Sequence, residues 1–152
     1  MKTILTYGTF DLFHIGHLNL LKKLKGMGDR LIVGVSTDEF NLEKGKQSIY
    51  KYQDRADIVA ALEYVDCVIP EHSWKQKVQD IQKYNVDVFA IGNDWQGKFD
   101  ELKSYCEVIY LPRTENISST AVKESINALN AAKIDELKTA LDGIKAIINT
   151  IQ

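Results

Sequence analysis

Apolar residues along this chain fall into short runs that alternate with stretches of helical spacing. Residues 3–7 (Thr-Ile-Leu-Thr-Tyr) form a β-rich run ended by Gly8. From Ile15 to Gly28, Leu18, Leu20, Leu21, Leu24 and Met27 recur at helical spacing, and Gly26 and Gly28 supply a stop. Arg30–Ser36 is a continuous apolar run, the pattern of a strand covered on both faces. The alternation then continues with a helix over Asp54–Tyr64 and a strand over Cys67–Ile69, stopped by Pro70. A helix over Trp74–Tyr84, a strand over Val86–Ile91 ended by Gly92, a short helix over Phe99–Ser104 and a strand over Val108–Leu111, stopped by Pro112, complete it. Strands alternating with helices predict an α/β domain built on a doubly wound parallel sheet of about five strands.

Ligands of such sheets bind beyond the carboxyl ends of the strands. The polar clusters fall there: His14 and His17 after the first strand, Asp38 after the second, Asp94 after the fourth and Arg113 after the fifth. Residues 134–151 differ. Ile134, Leu137, Leu141, Ile144, Ile148 and Ile151 are spaced alternately three and four apart on an otherwise polar stretch, a narrow seam on one more helix. The expected division is a domain over 1–128 and a helical extension over 129–152. The seam serves either to dock the helix on its own domain or to add to a dimer interface.

Composition narrows the function classes. With 152 residues, 45% hydrophobic and 26% charged, the chain is an ordinary globular domain with enough length for a core. A net charge of −2 gives no basic field for nucleic acid or an anionic membrane surface, so any anion site is made locally. Cys67 and Cys106 read as two buried free thiols rather than a disulfide or a metal pair. The opening Met-Lys-Thr-Ile-Leu-Thr-Tyr-Gly is too short and too soon broken for a signal peptide, and no stretch reaches the ~18 continuous apolar residues of a membrane span. The expectation is a cytoplasmic protein.

Two segments carry chemistry. His14-Ile15-Gly16-His17 lies where the first strand gives way to a helix, whose free N–H groups and dipole favour anions. Alone, a histidine pair on a helix is equally a structural or a metal-binding feature. About a hundred residues later comes Leu-Pro-Arg-Thr-Glu-Asn-Ile-Ser-Ser-Thr at 111–120. Arg113 offers a planar charged fork suited to phosphate oxygens. Ser118, Ser119 and Thr120 lie where the chain turns into a helix beginning near Ala121, so hydroxyls and helical N–H groups converge.

With Tyr-Gly-Thr-Phe-Asp-Leu-Phe-His-Ile-Gly-His at 7–17, Ser-Thr-Asp-Glu-Phe-Asn at 36–41 and the 111–120 segment, the chain resembles the glycerol-3-phosphate cytidylyltransferase family of the HIGH-signature nucleotidyltransferases. Tyr-Val-Asp at 64–66, Ile-Pro-Glu at 69–71 and Gly-Asn-Asp-Trp at 92–95 add weaker support, and the likeness runs to about residue 126. It implies a Rossmann-like fold, a homodimer, and transfer of a cytidylyl group from CTP to glycerol 3-phosphate with Mg²⁺ carried on the CTP. The product would supply teichoic acid or a capsule. The alternatives are an adenylyltransferase of the pantetheine-phosphate type, a cytidylyltransferase with another phosphorylated acceptor, and a non-catalytic nucleotide-binding module.

The resemblance also assigns roles. His14, His17, Lys46 and Arg113 are catalytic; Gly8, Thr9, Phe10, Asp94, Thr114, Ile117, Ser118, Ser119 and Thr120 join them around CTP, with Trp95 beside the nucleoside. Lys44, Lys77 and Arg55 go to the acceptor, while Asp11 and Asp66 support the structure, Asp66 with a further place at a dimer contact. Two positions depart from the pattern. Asn116 stands where the family has glycine, tolerable if the backbone there is left-handed. Glu63 replaces an arginine, which reverses the charge of any contact at that position.

Overall fold

The computed structural model describes residues 1–151. They divide into two compact units, Met1–Ile117 and a second that begins at Ser118. In the first, five parallel strands, β1 (Thr3–Gly8), β2 (Arg30–Ser36), β3 (Cys67–Glu71), β4 (Val88–Gly92) and β5 (Glu107–Leu111), lie in the order β3-β2-β1-β4-β5. Helices α1 (Ile15–Lys25), α2 (Asp38–Glu43), α3 (Tyr52–Ala60) and α4 (Gln76–Lys83) connect them. The sheet is the doubly wound one expected. The strand order reverses between β1 and β4, so the crevice for a ligand opens at their carboxyl ends.

Alternate residues of each strand feed two separate cores, one on each face. Ile4, Leu31, Val33, Val35, Val88 and Ala90 pack with Leu21 and Leu24 of α1 and Val59 of α3. Leu5, Tyr7, Ile32, Phe89 and Ile91 pack with Ile81 of α4, Phe99 and Leu102. This double burial explains why the strands read as unbroken apolar runs. Gly34 is needed because the Tyr7 ring occupies the place of its side chain: a Cβ would lie 2.1 Å from Tyr7 Cδ1. Tyr7 in turn donates its hydroxyl to Asp80 Oδ2 at 2.6 Å, which ties α4 to β1. Burial and the Asp80 carboxylate both push that phenol's pKa up, so it stays a donor.

Several boundaries differ from those expected, each for a local reason. β3 continues through Pro70 to Glu71, because it is an edge strand and a missing N–H on its outer side costs nothing. α2 was not foreseen: six residues capped by Thr37, whose Oγ1 accepts from Phe40 N–H at 3.2 Å, are too few to show a period. The helix expected over Phe99–Ser104 is a 3-10 turn over Asp100–Ser104.

The expected division at 128/129 falls within a helix. The second unit is one helix, α5 (Ser119–Ile151), which runs unbroken across that point. Nothing between 120 and 142 stops it, since the stretch lacks glycine and proline and is rich in alanine. Ser118 starts it, its Oγ accepting from Ala121 N–H at 3.0 Å. Ile134, Leu137, Leu141, Ile144, Ile148 and Ile151 are all at least half exposed on it. No helix among the described residues is long and apolar enough to cross a membrane.

Candidate active site

β1 ends in Gly8 and delivers a tight loop to the start of α1. Phe10 and Leu12 adopt left-handed backbone conformations, φ 54° and 48°, a strain of roughly 1–2 kcal/mol per residue held by neighbouring contacts. Asp11 supplies them. Its buried carboxylate accepts from the N–H groups of Ile49 and Tyr50 at 2.7 and 2.9 Å, fastening the 44–50 loop to the histidine loop. Thr9 does the same through Asn41: Thr9 Oγ1 donates to Asn41 Oδ1, and Asn41 Nδ2 donates to Ser48 Oγ.

The two histidines cap α1 reciprocally. His14 Nδ1 accepts from Gly16 N–H at 3.0 Å, and His17 Nδ1 accepts from His14 N–H at 3.2 Å. With both Nδ1 atoms accepting, each neutral ring carries its proton on Nε2. The rings stack with centroids 3.8 Å apart, and Phe10 and Phe13 close on His17. Burial lowers the pKa of both; Arg113 adds to this at His14, while His14 and Arg113 take His17 down to about 4. Both are therefore neutral donors near pH 7. His14 Nε2 is buried with no hydrogen-bond partner, a donor waiting for a ligand oxygen.

The late segment meets the early one. Arg113 acts electrostatically on both imidazoles. Asn19 Nδ2 donates to Thr114 Oγ1 at 3.4 Å, and a Cβ on Gly16 would lie 3.2 Å from Ile117 Cγ2. Arg113 Nη2 pairs with Asp94 Oδ2 at 2.6 Å, so both strand-end groups form one exposed pair that a phosphate can open. Asn116 has φ 63°, the left-handed backbone that asparagine tolerates in place of glycine. Ser118, Ser119 and Thr120 open α5 in the second unit.

The segments that follow β2, β3 and β4 form a cationic, aromatic cleft. Lys44 and Lys77 approach Trp74, and Lys46 lies 6.0 Å from the centre of Trp95. A cavity of about 570 Å³ lined by Trp74, Lys77, Trp95, Lys98 and Phe99 continues it. Sequence reasoning missed Glu71 and Trp74 here; Trp74, exposed and preceding α4, carries no periodic signal.

Three of the assigned residues have contacts that bear on their roles. Arg55 is wholly buried, and its guanidinium donates to Thr9 O, Tyr50 O and Asp38 Oδ1 at 2.7–2.9 Å. It holds loops together and leaves no surface for an acceptor. Burial opposes ionisation of Asp38, but Tyr52 N–H and Arg55 outweigh it and keep its carboxyl below the usual range. Arg55→Lys, lacking the fork, is expected to lose about 1–3 kcal/mol of stability in urea titration. Phe10 is core, so any part it takes in nucleotide binding is through its backbone. Asp66 accepts from Leu31 N–H and Lys25 Nζ at 2.7 and 2.6 Å, a brace on β2 within one chain.

A family model described as cytidylyltransferase-like matches residues 5–125. A glycerol-3-phosphate cytidylyltransferase of Bacillus spizizenii is 57% identical over 129 residues, 85% of this chain and 100% of the relative. One from Staphylococcus aureus is 53% identical over 131 residues, 86% and 99% of the two chains. A lipopolysaccharide core biosynthesis protein from Thermoplasma volcanium shares the fold at a TM-score of 0.65, with 24% identity over 76% of this chain and 99% of that one. With the family model covering most of its length and relatives matched end to end, the chain belongs to the cytidylyltransferase-like family, in its glycerol-3-phosphate cytidylyltransferase branch.

Proposed function

We propose that the chain transfers the cytidylyl group of CTP to sn-glycerol 3-phosphate, giving CDP-glycerol and pyrophosphate. The observation that carries this reading is the pair of neutral imidazoles, locked in the Nε2–H tautomer by their own helix caps and faced by Arg113. Such donors suit a phosphate whose charge grows during the reaction. They do not suit removal of a proton, and none needs removing: a phosphomonoester with a second pKa near ~6 is already ionised at neutral pH. Catalysis is then in-line positioning plus neutralisation of charge.

His14 and His17 donate to the α-phosphate and its bridging oxygen, Arg113 and Lys46 draw charge off the departing pyrophosphate, and Lys44 and Lys77 hold the acceptor phosphate. Gly8, Thr9, Asp94, Thr114 and Ile117 complete the nucleotide site within the first unit. Mg²⁺ carried on the CTP phosphates would offset part of their charge. CDP-glycerol made here would feed a glycerol-phosphate polymer such as teichoic acid or a capsule.

The purified protein, given CTP or ATP with a panel of phosphate acceptors, should release pyrophosphate with CTP and glycerol 3-phosphate. Release with ATP and a pantetheine phosphate instead would overturn the reading. We also propose a homodimer, in the cytoplasm, to which the exposed apolar seam of α5 contributes. Truncation after Leu129 is expected to turn the dimer into a monomer in sedimentation; an unchanged oligomeric state removes that part of α5 from the interface.

A further inference from the structure

Glu71 ends β3 with its side chain 3% exposed, and its Oε1 lies 3.8 Å from both Lys44 Nζ and Lys77 Nζ. The lysine side chains are themselves only 9% and 4% exposed. Aromatic rings surround them. Lys44 Nζ is 4.5 Å from the centre of Phe40, and Lys77 Nζ is 4.5, 5.0 and 5.3 Å from those of Tyr7, Trp74 and Phe99. Lys44 donates to Ser36 Oγ, whereas Lys77 Nζ has no hydrogen-bond partner.

Ring faces attract a cation by about 0.5–2 kcal/mol each, less than the several kcal/mol lost when an ammonium group leaves water. Two like charges in one dry box add mutual repulsion. The cheapest escape is for an amine to lose its proton, and a neutral amine does not hold a phosphate dianion. The other charged groups facing the cluster do not prevent this. Lys46 of the loop and Arg55 of α3 have the wrong sign. Asp80 of α4 has the right sign and keeps its charge while accepting from Tyr7 and Gln76, but it acts on Lys77 alone and there stands second to Glu71.

We propose that Glu71 is a positioning residue for the acceptor phosphate, its carboxylate keeping Lys44 and Lys77 side by side and charged in a box too dry for two bare ammonium groups. The inference rests on the assignment of those lysines to the acceptor. The 3.8 Å separations suit the task, because neither ammonium is locked in a tight hydrogen-bonded pair and both stay free to turn to a phosphate. Burial already brings Lys44 down to about 8 and lowers Lys77, and the Glu71 charge opposes it at both. Without that charge the proton leaves at lower pH.

The test is KM for glycerol 3-phosphate and for CTP from about pH 7 to about pH 9.5, where the acceptor is mostly a dianion. In the wild type, KM for the acceptor should begin to rise near pH 8. In Glu71→Gln that rise should begin about one unit lower, which is roughly tenfold in KM at the wild-type break, with KM for CTP unmoved. Glu71→Asp, which keeps the charge, should move less. A Gln break at the wild-type pH, a uniform fall in acceptor KM, or a parallel rise in KM for CTP each overturns the proposal. If the Gln protein does not fold, ¹⁵N NMR of the wild-type lysine Nζ, assigned with Lys77→Arg, decides: an ammonium signal from Lys77 at neutral pH is expected, and a neutral amine signal overturns the idea. Lys77→Met separates the two layers. Unchanged acceptor KM in that variant sinks the lysine assignment itself, whereas a raised KM beside an unmoved Gln break sinks only the role of Glu71.

Discussion

His14→Asn is expected to lower kcat by about 10²–10³-fold while leaving thermal stability near that of the wild type. The two effects separate because His14 does two jobs with two nitrogens. Nδ1 caps α1 by accepting from Gly16 N–H, and Nε2 faces the ligand side without a partner. The asparagine Oδ1 sits close to where Nδ1 sits, so the cap survives. The Nε2–H has no counterpart, so the donor to the phosphate is lost. His14→Ala removes both and should lose about 1 kcal/mol of stability besides, the usual worth of an N-cap. Single-turnover rates with CTP and glycerol 3-phosphate, read beside a thermal melt, check this. Near-wild-type turnover in the asparagine variant would leave the histidines as helix caps only.

That dual use bears on what a sequence can disclose. The central strands β1, β2 and β4 were legible because they are buried on both faces, and the partly buried edge strands β3 and β5 because a proline follows their apolar residues; β2 matches its expected bounds at Arg30 and Ser36. The histidine pair was legible by spacing and by its place after β1. What spacing could not disclose was the tautomer, which follows from hydrogen bonds that Gly16 and His14 N–H groups make in the folded turn. Arg55 shows a deeper limit. Its partners Thr9, Asp38 and Tyr50 come from three separate segments, and a buried structural arginine looks, as a letter in a chain, like a ligand-binding one. Glu71 was hidden for a similar reason: it lies one residue past Pro70, where a strand was expected to have ended, and only the meeting of β3 with α4 and the 44–50 loop gives it two lysines. The long α5 was seen in two pieces because its apolar seam begins only at Ile134, well after the helix does.

Gly16→Ala sets local stability against catalysis. Inside α1, alanine is the better helix former by about 1 kcal/mol, so by propensity alone the substitution stabilises. The added Cβ, however, lies 2.8 Å from His14 Cε1 and 3.0 Å from His14 Nδ1. Its nearest obstacle is therefore an imidazole that can swing aside, and the helix backbone need not give way. The swing breaks the Gly16 N–H to Nδ1 bond that sets the tautomer, and it carries Nε2 off its line to the phosphate. A displacement of about 1 Å at a positioned group costs about 10²-fold in rate. The expected result is a protein whose melting temperature is held or raised and whose kcat falls about 10²-fold, with KM for the acceptor little changed because Lys44 and Lys77 lie elsewhere. A variant that instead lost stability and kept its kcat would mean that Ile117, whose Cγ2 is 3.2 Å from the same Cβ, takes the strain in place of His14. The imidazole's place would then not be what the glycine protects.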